Sequence, residues 1–334
     1  MTFLCVDENA FCPAPKQRPQ AFYRRLPSII LLGILVLGIL GRPSHASQKP
    51  LRVGILPVLD TLPLQIAFTE GYFAKHGLNV QLISFDSALE RDAAMQAGQL
   101  EGYFGDMVNT VLMVRSGVPM RIVTVAYASR PGQRQFALLG RPGLEATSLD
   151  ALPSGTVGLS NATIMEYLLD LMEEQGLVPR GRLERLEVKK IPVRMQMLLG
   201  GRLDAAILPE PLVTLAESQG ARVYVTDENL QVTLTVVGLL DRLLTDDTQT
   251  GEKFLNAYRE ALSALAANPE KYRSLMVASC RIPEQLAATF QMPVFPEAGL
   301  PPYADVERLV SWMRARGLVT EAIKVADLTW SGRP

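Results

Sequence analysis

The sequence feature that most constrains the fold is a strand–helix–strand pattern that occurs twice, about a hundred residues apart. The first copy, residues 97–125, combines a short strand, a tight turn at Gly105-Asp106, an apolar helix and a second buried strand. Residues 201–207, GRLDAAI, follow residues 98–104, GQLEGYF, closely in chemical type. The chain therefore contains two βαβ units of related sequence.

The similarity extends to the segments that precede these units. Residues 51–56, LRVGIL, and residues 155–160, GTVGLS, are both typical of buried strands. Each is followed by a helical stretch that closes on a glycine, at Gly77 and at Gly176. Two successive halves thus follow the order strand, helix, strand, helix, strand, which predicts two α/β lobes. Ordinary alternation in a single α/β domain is the alternative.

The length and composition are those of a globular protein with room for two domains. The chain has 334 residues, of which 48% are hydrophobic and 20% are charged. The formal net charge is only -1. Because no stripe of basic residues is present, we expect no nucleic-acid partner.

Residues 1–46 are predicted to be an export signal. Arg24-Arg25 precede an apolar run at residues 29–40, and residues 44–46, SHA, place small residues where signal peptidase requires them. A stable membrane anchor needs about 20 apolar residues, so this run is short for one. We expect cleavage after Ala46 and a periplasmic or otherwise extracytoplasmic protein, with a retained anchor as the alternative. The segment before the arginines is long for a signal, which leaves the start codon open.

Cysteine and histidine are too scarce for several kinds of site. Cys5 and Cys12 lie in the predicted signal, so Cys280 alone remains, and we expect it in a core. After cleavage His76 is the only histidine. A histidine-based metal site or a Ser-His dyad would lack parts. The sequence also lacks the glycine motifs of nucleotide-binding loops, and we expect no metal or cofactor.

In the first half, two pairs of residues follow predicted strands and precede predicted helices. These pairs are Asp60 with Thr61 and Gly105 with Asp106. In open parallel sheets, ligands bind outside the carboxyl ends of the strands. The side chains of Asp60, Thr61 and Asp106 could therefore contact a ligand, or they could only cap the helices.

In the second half, Ser160, Asn161 and Thr163 occupy the position equivalent to Asp60 and Thr61. They stand directly before a predicted helix. Exposed backbone amides and hydroxyl groups suit an anionic or hydrogen-bonding ligand group. A plain N-cap explains the same residues equally well.

The Pro209-Glu210-Pro211 turn holds a carboxylate at a strand-to-helix junction. A carboxylate only accepts hydrogen bonds, so a ligand cation or N–H donor would match it. A solvent-exposed glutamate that favours the helix dipole would explain the same placement without a ligand. We favour the ligand role.

Several motifs spread over the chain carry a family resemblance. They are Val53-Gly54-Ile55, the segment EGYFAKHGLNV at residues 70–80, Gly98-Gln99-Leu100-Glu101, Gly105-Asp106, Gly117-Val118-Pro119, Pro209-Glu210-Pro211 and Asn268-Pro269-Glu270. Together they resemble the ABC-transporter solute-binding proteins of the nitrate/sulfonate/taurine and thiamine-pyrimidine-precursor family. The resemblance covers essentially the whole chain after the signal.

This resemblance implies the type II periplasmic-binding-protein fold, with two α/β lobes, a ligand cleft and two crossings between the lobes. Residues 47–131 and 236–334 would form lobe 1, and residues 132–235 would form lobe 2. Hinge motion near Ser129 and Val236 would close the cleft on a ligand.

The resemblance also implies a function. The chain would be a monomeric binding component of an ABC importer that captures a small polar molecule and delivers it to a membrane permease with its ATPase. The candidate ligand contacts are Asp60, Thr61, Gly105, Asp106, Ser160, Asn161, Thr163 and Glu210, with Tyr127 as a stacking or hinge residue. The three carboxylates favour a neutral or cationic nitrogen-rich molecule, such as an aminopyrimidine, over a sulfonate or nitrate. If the carboxylates are only caps, this preference has no basis.

An enzyme of the same fold, acting in thiamine-pyrimidine or menaquinone biosynthesis, is the alternative function. Asp60 and Asp106 could then form an acid-base pair. The predicted export signal argues against it. The iron-dependent pyrimidine synthases that this family resembles need histidine and cysteine ligands that this chain does not have. We therefore expect a binding protein and not an enzyme.

Overall fold

The computed structural model describes residues 49–144, 154–245, 248–320 and 323–332. The predicted signal, residues 1–46, lies outside these ranges, so its cleavage stays a prediction.

Two five-stranded sheets form the framework of the described chain. The first sheet contains β1 (Leu51–Ile55), β2 (Val80–Ser84), β3 (Gly102–Asp106), β4 (Met120–Ala128) and β10 (Thr233–Leu240), in the order β2-β1-β3-β10-β4. The second sheet contains β5 (Phe136–Gly140), β6 (Gly155–Leu159), β7 (Leu183–Glu187), β8 (Ala205–Pro209) and β9 (Arg222–Thr226), in the order β7-β6-β8-β5-β9. The first three strands of each order are parallel, and the fourth is antiparallel to both of its neighbours. The two sheets therefore share one topology, which confirms the predicted repeat and the two-lobe α/β fold.

Helices connect the strands and cover the sheets. They are α1 (Leu62–Thr69), α2 (Tyr72–Lys75), α3 (Ala88–Gln96), α4 (Met107–Arg115), α5 (Ile164–Glu174), α6 (Ile191–Leu199), α7 (Leu212–Ser218), α8 (Asp241–Thr245), α9 (Thr248–Ala267), α10 (Arg273–Ser279), α11 (Glu284–Ala287), α12 (Tyr303–Ala315) and α13 (Val325–Leu328). Short 3₁₀ turns lie at Leu59–Thr61 and Pro269–Tyr272. None of the described helices is long and apolar enough to span a membrane.

The glycines that close the first helical stretch of each half adopt the left-handed conformation. The φ angle is +75° at Gly77 and +72° at Gly176. A residue with a Cβ atom is strained in this region, whereas glycine is not. The chain can therefore turn directly from each helix toward the next strand, as the sequence predicts.

The predicted turn at Gly105-Asp106 is wrong, because both residues belong to strand β3. They pair with Val236 and Thr235 of the antiparallel strand β10. This strand comes from more than a hundred residues further along the chain, so its pairing extends β3 beyond the local turn signal. Asp106 is consequently both the last residue of β3 and the N-cap of α4.

Two crossings connect the sheets, as predicted. One joins β4 to β5 and the other joins β9 to β10. The crossings are bonded to each other, since the Ser129 amide donates to the Val232 carbonyl at 2.9 Å and the Val232 amide donates to the Ser129 hydroxyl at 2.8 Å. Asp227 of the second crossing accepts from the backbone amides of Gln135, in the first crossing, and of Phe136, the first residue of β5. Ser129 thus lies at a crossing.

The other predicted hinge residue, Val236, lies elsewhere. It sits inside β10, paired with both neighbouring strands. A residue held in two ladders cannot absorb the backbone rotation of a hinge.

Helix α12, near the end of the chain, packs between the two lobes. Its Val306, Leu309 and Met313 share one hydrophobic cluster with α4 and α5. The ring of Trp312 lies 5.0 Å from the ring of Tyr167 on α5, and its indole N–H donates to Asp170 at 2.6 Å. The C-terminal segment therefore joins both lobes and is not an independent tail.

Candidate functional site

The carboxyl ends of parallel strands from both sheets face one cleft. Strands β1 and β3 of the first sheet and β6 and β8 of the second contribute residues at or just past their ends. The cavity between the walls has a volume of about 70 Å³. Most of the wall is apolar, formed by Leu56, Val58, Phe104, Phe136, Ile164, Met165, Ile191 and Pro209.

The polar residues of the cleft come from both lobes. They are Asp60, Arg91, Asp106, Gln135, Ser160, Thr163, Lys189 and Thr235. Four of the nine predicted contacts are thus brought together here, namely Asp60, Asp106, Ser160 and Thr163. The other five predicted contacts are not among the residues that line this cavity.

Asp60 lies in the 3₁₀ turn before α1 and is not a helix cap. Its side chain is only 2% exposed. Its carboxyl group accepts hydrogen bonds from the Gln135 amide and, at 2.7 Å, from the Thr235 hydroxyl. Burial raises the pKa of Asp60 to about 7, and the nearby charge of Asp227 adds to this effect. Asp60 therefore presents a buried acid without a cationic partner among the residues that the structure describes.

Asp106 caps α4 and also reaches the opposite lobe. Its carboxyl group accepts from the Asn109 amide at 2.8 Å. Burial raises the pKa of Asp106 to about 6, while hydrogen bonding to the Asn109 amide, the charge of Arg91 and the Ile164 amide of α5 oppose the rise. The capping and cleft-facing interpretations are therefore compatible for this residue.

The start of α5 forms the wall in lobe 2. Thr163 caps the helix by accepting from the Met165 amide at 3.2 Å, and its hydroxyl donates to the Ser160 carbonyl at 2.7 Å. The Ser160 side chain lines the cleft and accepts from Arg194. Asn161 is exposed and does not line the cavity.

Three predicted contacts are occupied by the fold itself. The Thr61 hydroxyl is bonded to the carbonyl groups of Leu56 and Val58. The Tyr127 hydroxyl donates to the Gln133 carbonyl at 3.0 Å, which ties β4 to the first crossing. At Gly105 a Cβ atom would lie 2.5 Å from the Tyr103 ring, so this glycine serves close packing.

Glu210 lies outside the cleft, where protein groups satisfy it. The residue is 4% exposed, so it is not the solvent-exposed glutamate of the alternative interpretation. It pairs with Arg134 at 2.7 Å and accepts from the amide and hydroxyl of Thr214 at 3.1 and 3.0 Å. The carboxylate therefore caps α7 and balances a cation of the first crossing.

Two fully buried arginines were not predicted, Arg91 in the wall of the cleft and Arg194 outside its lining. Arg91 on α3 donates to the Phe104 carbonyl, and Arg194 on α6 donates to the Ile207 carbonyl, both at 2.8 Å. Each arginine also packs against a strand glycine, Arg91 against Gly54 of β1 and Arg194 against Gly158 of β6. Because the two arginines are separated by the same 103 residues as Gly98 and Gly201, the repeat contained a signal that could have found them.

The two walls offer different chemistry to a ligand. Lobe 1 presents the acids Asp60 and Asp106, and lobe 2 presents the hydroxyl group of Ser160, because that of Thr163 is engaged in the helix cap. Within the described ranges, no cluster of three or more His, Cys, Asp or Glu side chains could hold a metal ion. The cleft can thus bind an organic molecule by apolar contact with a few polar groups that fix its orientation.

The sequence matches a family model described as "NMT1/THI5 like" over residues 59–272. No curated protein matches the sequence significantly.

Solved structures share the fold. The periplasmic aliphatic sulphonate binding protein SsuA from Escherichia coli has a TM-score of 0.71 at 15% identity, over 85% of this chain and 98% of that one. The alkanesulfonate-binding protein SsuA from Xanthomonas axonopodis pv. citri, bound to MOPS, also has a TM-score of 0.71. The identity is 14%, over 84% of this chain and 98% of that one. The periplasmic nitrate-binding protein NrtA from Synechocystis PCC 6803 has a TM-score of 0.63 at 12% identity, over 82% and 83%.

Proposed function

The chain belongs to the NMT1/THI5-like family, and on that premise we propose that it is the extracytoplasmic solute-binding component of an ABC importer. It captures a small polar molecule between its lobes and delivers it to a membrane permease driven by an ATPase. Solved structures of the same fold carry the names of sulfonate- and nitrate-binding proteins, which supports a role in binding.

The observation that carries this proposal is the cleft, to which both lobes contribute polar groups. Asp60 and Asp106 come from lobe 1, and Ser160 and Thr163 come from lobe 2. Only two crossings connect the sheets within the described ranges, and hinge motion about such crossings can open and close a cleft. A ligand that touches both walls would hold the lobes together.

The ligand is a small organic molecule with at least one N–H donor group. Asp60 and Asp106 are buried acids that accept hydrogen bonds. The apolar wall adds contact area for a carbon skeleton or a ring. This combination supports a nitrogen-bearing ligand more than a bare inorganic anion such as nitrate.

Binding, and not catalysis, is the proposed activity. Asp60 is engaged by Gln135 and Thr235, and Asp106 is engaged by Asn109. Each acid is therefore held by its own neighbours, which supports a role in recognition over one in proton transfer. As a binding component, the exported chain would act as a monomer.

Ligand binding by the purified mature chain, beginning at Ser47, tests this proposal. Native mass spectrometry detects any co-purifying molecule, and a thermal-shift panel covers sulfonates, nitrate, aminopyrimidines and amino acids. We expect one class to stabilise the protein without being consumed. Turnover of the bound compound would support an enzyme, and the absence of any ligand from both measurements would contradict the proposal.

Variants then locate the site. Asp106→Asn and Ser160→Ala should each weaken binding about tenfold or more, because the first removes a negative charge and one acceptor oxygen from the cleft and the second removes a hydroxyl group. The control is Asp204→Asn, since Asp204 bonds the Thr156 amide at the amino ends of the strands, away from the cleft. If both cleft variants bind the ligand as tightly as the Asp204→Asn control does, the ligand binds elsewhere.

A further inference from the structure

The first turn of helix α12 is bonded to the second crossing between the lobes. The Asp305 carboxylate accepts from the backbone amide and the hydroxyl group of Thr233, at 2.9 and 2.8 Å. Arg308 donates to the Gln231 carbonyl at 3.0 Å. Two charged side chains of one helix therefore hold the chain where it passes from lobe 2 into β10.

The segment held in this way has an unfavourable backbone conformation. Gln231 has a φ angle of +49°, in the left-handed region that residues with a Cβ atom rarely adopt. Such a conformation persists only where the surrounding structure fixes it. The bonds to Gln231 and Thr233, on either side of Val232, supply this constraint.

The last turns of α12 are fastened to lobe 2 by charged groups. Arg316 donates to the Asp170 carboxylate of α5 from its Nε atom at 2.8 Å, and one of its terminal nitrogens lies 3.7 Å from a Glu166 oxygen. The Trp312 indole N–H and Arg185 of β7 donate to the same Asp170 carboxylate. The side chains of Asp170 and Glu166 are only 14% and 13% exposed, so water screens these contacts less than it does at an open surface.

On the side of lobe 1, α12 rests on an apolar surface. Val306, Leu309 and Met313 pack against α4 within one hydrophobic cluster. Apolar contact has no preferred direction, whereas hydrogen bonds fix both distance and angle. Rotation of lobe 2 about the crossings must therefore either break the bonds of α12 or move the helix across α4.

A second link between the lobes, beside the cleft, is weaker. The Lys190 Nζ atom lies 3.5 Å from a Glu90 oxygen, and these side chains are 63% and 44% exposed. Exposed ion pairs contribute little to stability. The contacts of α12 are therefore better placed than this ion pair to resist a change in the angle between the lobes.

We propose that α12 is a hinge clamp that sets the angle between the lobes. Asp305 and Arg308 hold the second crossing, and Trp312 and Arg316 hold lobe 2. Loss of either set of bonds frees lobe 2 to rotate. This inference rests on the proposed function, because it names the element that regulates closure of the same cleft.

The distance between the lobes of the mature chain, without any added ligand, tests the clamp. Nitroxide labels at Gln81→Cys on β2 and Glu184→Cys on β7 mark an outer strand of each sheet, at exposed positions. The native Cys280 is buried, so labelling is directed to the two introduced cysteines. Pulsed electron paramagnetic resonance then gives the distribution of distances between the labels.

Variants assign this distribution to the clamp. Asp305→Ala and Arg316→Gln each remove charge-assisted hydrogen bonds. In each, the ratio of molecules outside the main wild-type distance peak to those within it should rise about tenfold. The controls Glu307→Ala and Arg314→Gln remove the same charges from exposed positions of the same helix, and they should change this ratio less than about twofold.

Thermal melts establish that each variant folds. Arg316 is 39% exposed, so Arg316→Gln carries the test if Asp305→Ala does not fold.

The outcomes separate this inference from the proposed function. If the folded clamp variants keep the wild-type distance distribution, or if the controls change it equally, α12 does not set the lobe angle. Neither result affects the binding function, which the thermal-shift panel tests on the wild-type protein. If that panel finds no ligand but the clamp variants alone change the distances, the clamp stands and the binding function fails.

Discussion

Replacement of Asp60 by asparagine should stabilise the protein at alkaline pH. The carboxyl group is buried, and its pKa is raised to about 7 from an ordinary value of 3.8. The folded state thus binds the proton more tightly than the unfolded state does. Stability contributed by this group is greatest near pH 4, falls as the pH rises, and is fully lost above pH 7.

The magnitude follows from the width of this pH window. Each pH unit within it changes the free energy of unfolding by about 1.4 kcal/mol, so the loss between pH 5 and pH 8 is about 3 kcal/mol. The oxygen of the introduced asparagine side chain can still accept from Gln135. Its NH2 group can donate to the Thr235 hydroxyl, which donates to Asp60 in the wild type. The free energy of unfolding of Asp60→Asn, relative to that of the wild type, should therefore be about 3 kcal/mol higher at pH 8 than at pH 5.

Urea denaturation of both proteins at pH 5 and pH 8 measures this difference. The control is Asp86→Asn, because Asp86 is exposed and its replacement should change stability equally at both pH values. The reasoning fails if Asp60→Asn is no more stable than the wild type at pH 8, or if its advantage is the same at both pH values.

Three further predictions concern packing, the free thiol and a buried ion pair. Gly158→Ala should lower stability by about 1–3 kcal/mol in urea denaturation, because its Cβ atom would lie 2.5 Å from Leu203 and 3.1 Å from Arg194. The control is Gly299→Ala, where a Cβ atom would meet nothing within 4 Å. An equal loss of stability in both variants would refute the prediction. Cys280 is 1% exposed and burial raises its pKa to about 12, so a thiol reagent should label it only at the rate of unfolding, and immediate labelling of the native protein would contradict its burial. Arg134→Met should cost about 3 kcal/mol at pH 7, because it leaves the buried Glu210 carboxylate without a cation. The cost should be smaller at acidic pH, because burial raises the pKa of Glu210 and a protonated carboxyl group needs no cation. In the same denaturation assay, adding Glu210→Gln should restore most of the loss.

Local signals explain why the repeat and the caps could be predicted. Apolar runs, glycines and N-cap residues act within a few positions of the chain, and they located β1, β6 and the start of α5. Thr163 and Asp106 cap their helices as expected. Strand β10 pairs with β3 in the first sheet and extends it. No local sequence pattern encodes a pairing between strands so far apart in the chain.

The rest of the site depends on contacts that are distant in sequence. Gln135 reaches Asp60 from the first crossing, and Arg194 reaches Ser160 from another helix. An arginine on an amphipathic helix usually lies on the solvated face, so the helix sequence gave no reason to place Arg194 in the core. Glu210 was predicted in the cleft because its partner, Arg134, lies far away in sequence and could not be identified.

A crystal structure with the bound small molecule tests the central claim most directly. We expect density between the lobes, in contact with Asp60 or Asp106 on one side and Ser160 on the other. Density confined to one lobe, or in the separate pocket beside Glu210 and Arg134, would contradict it.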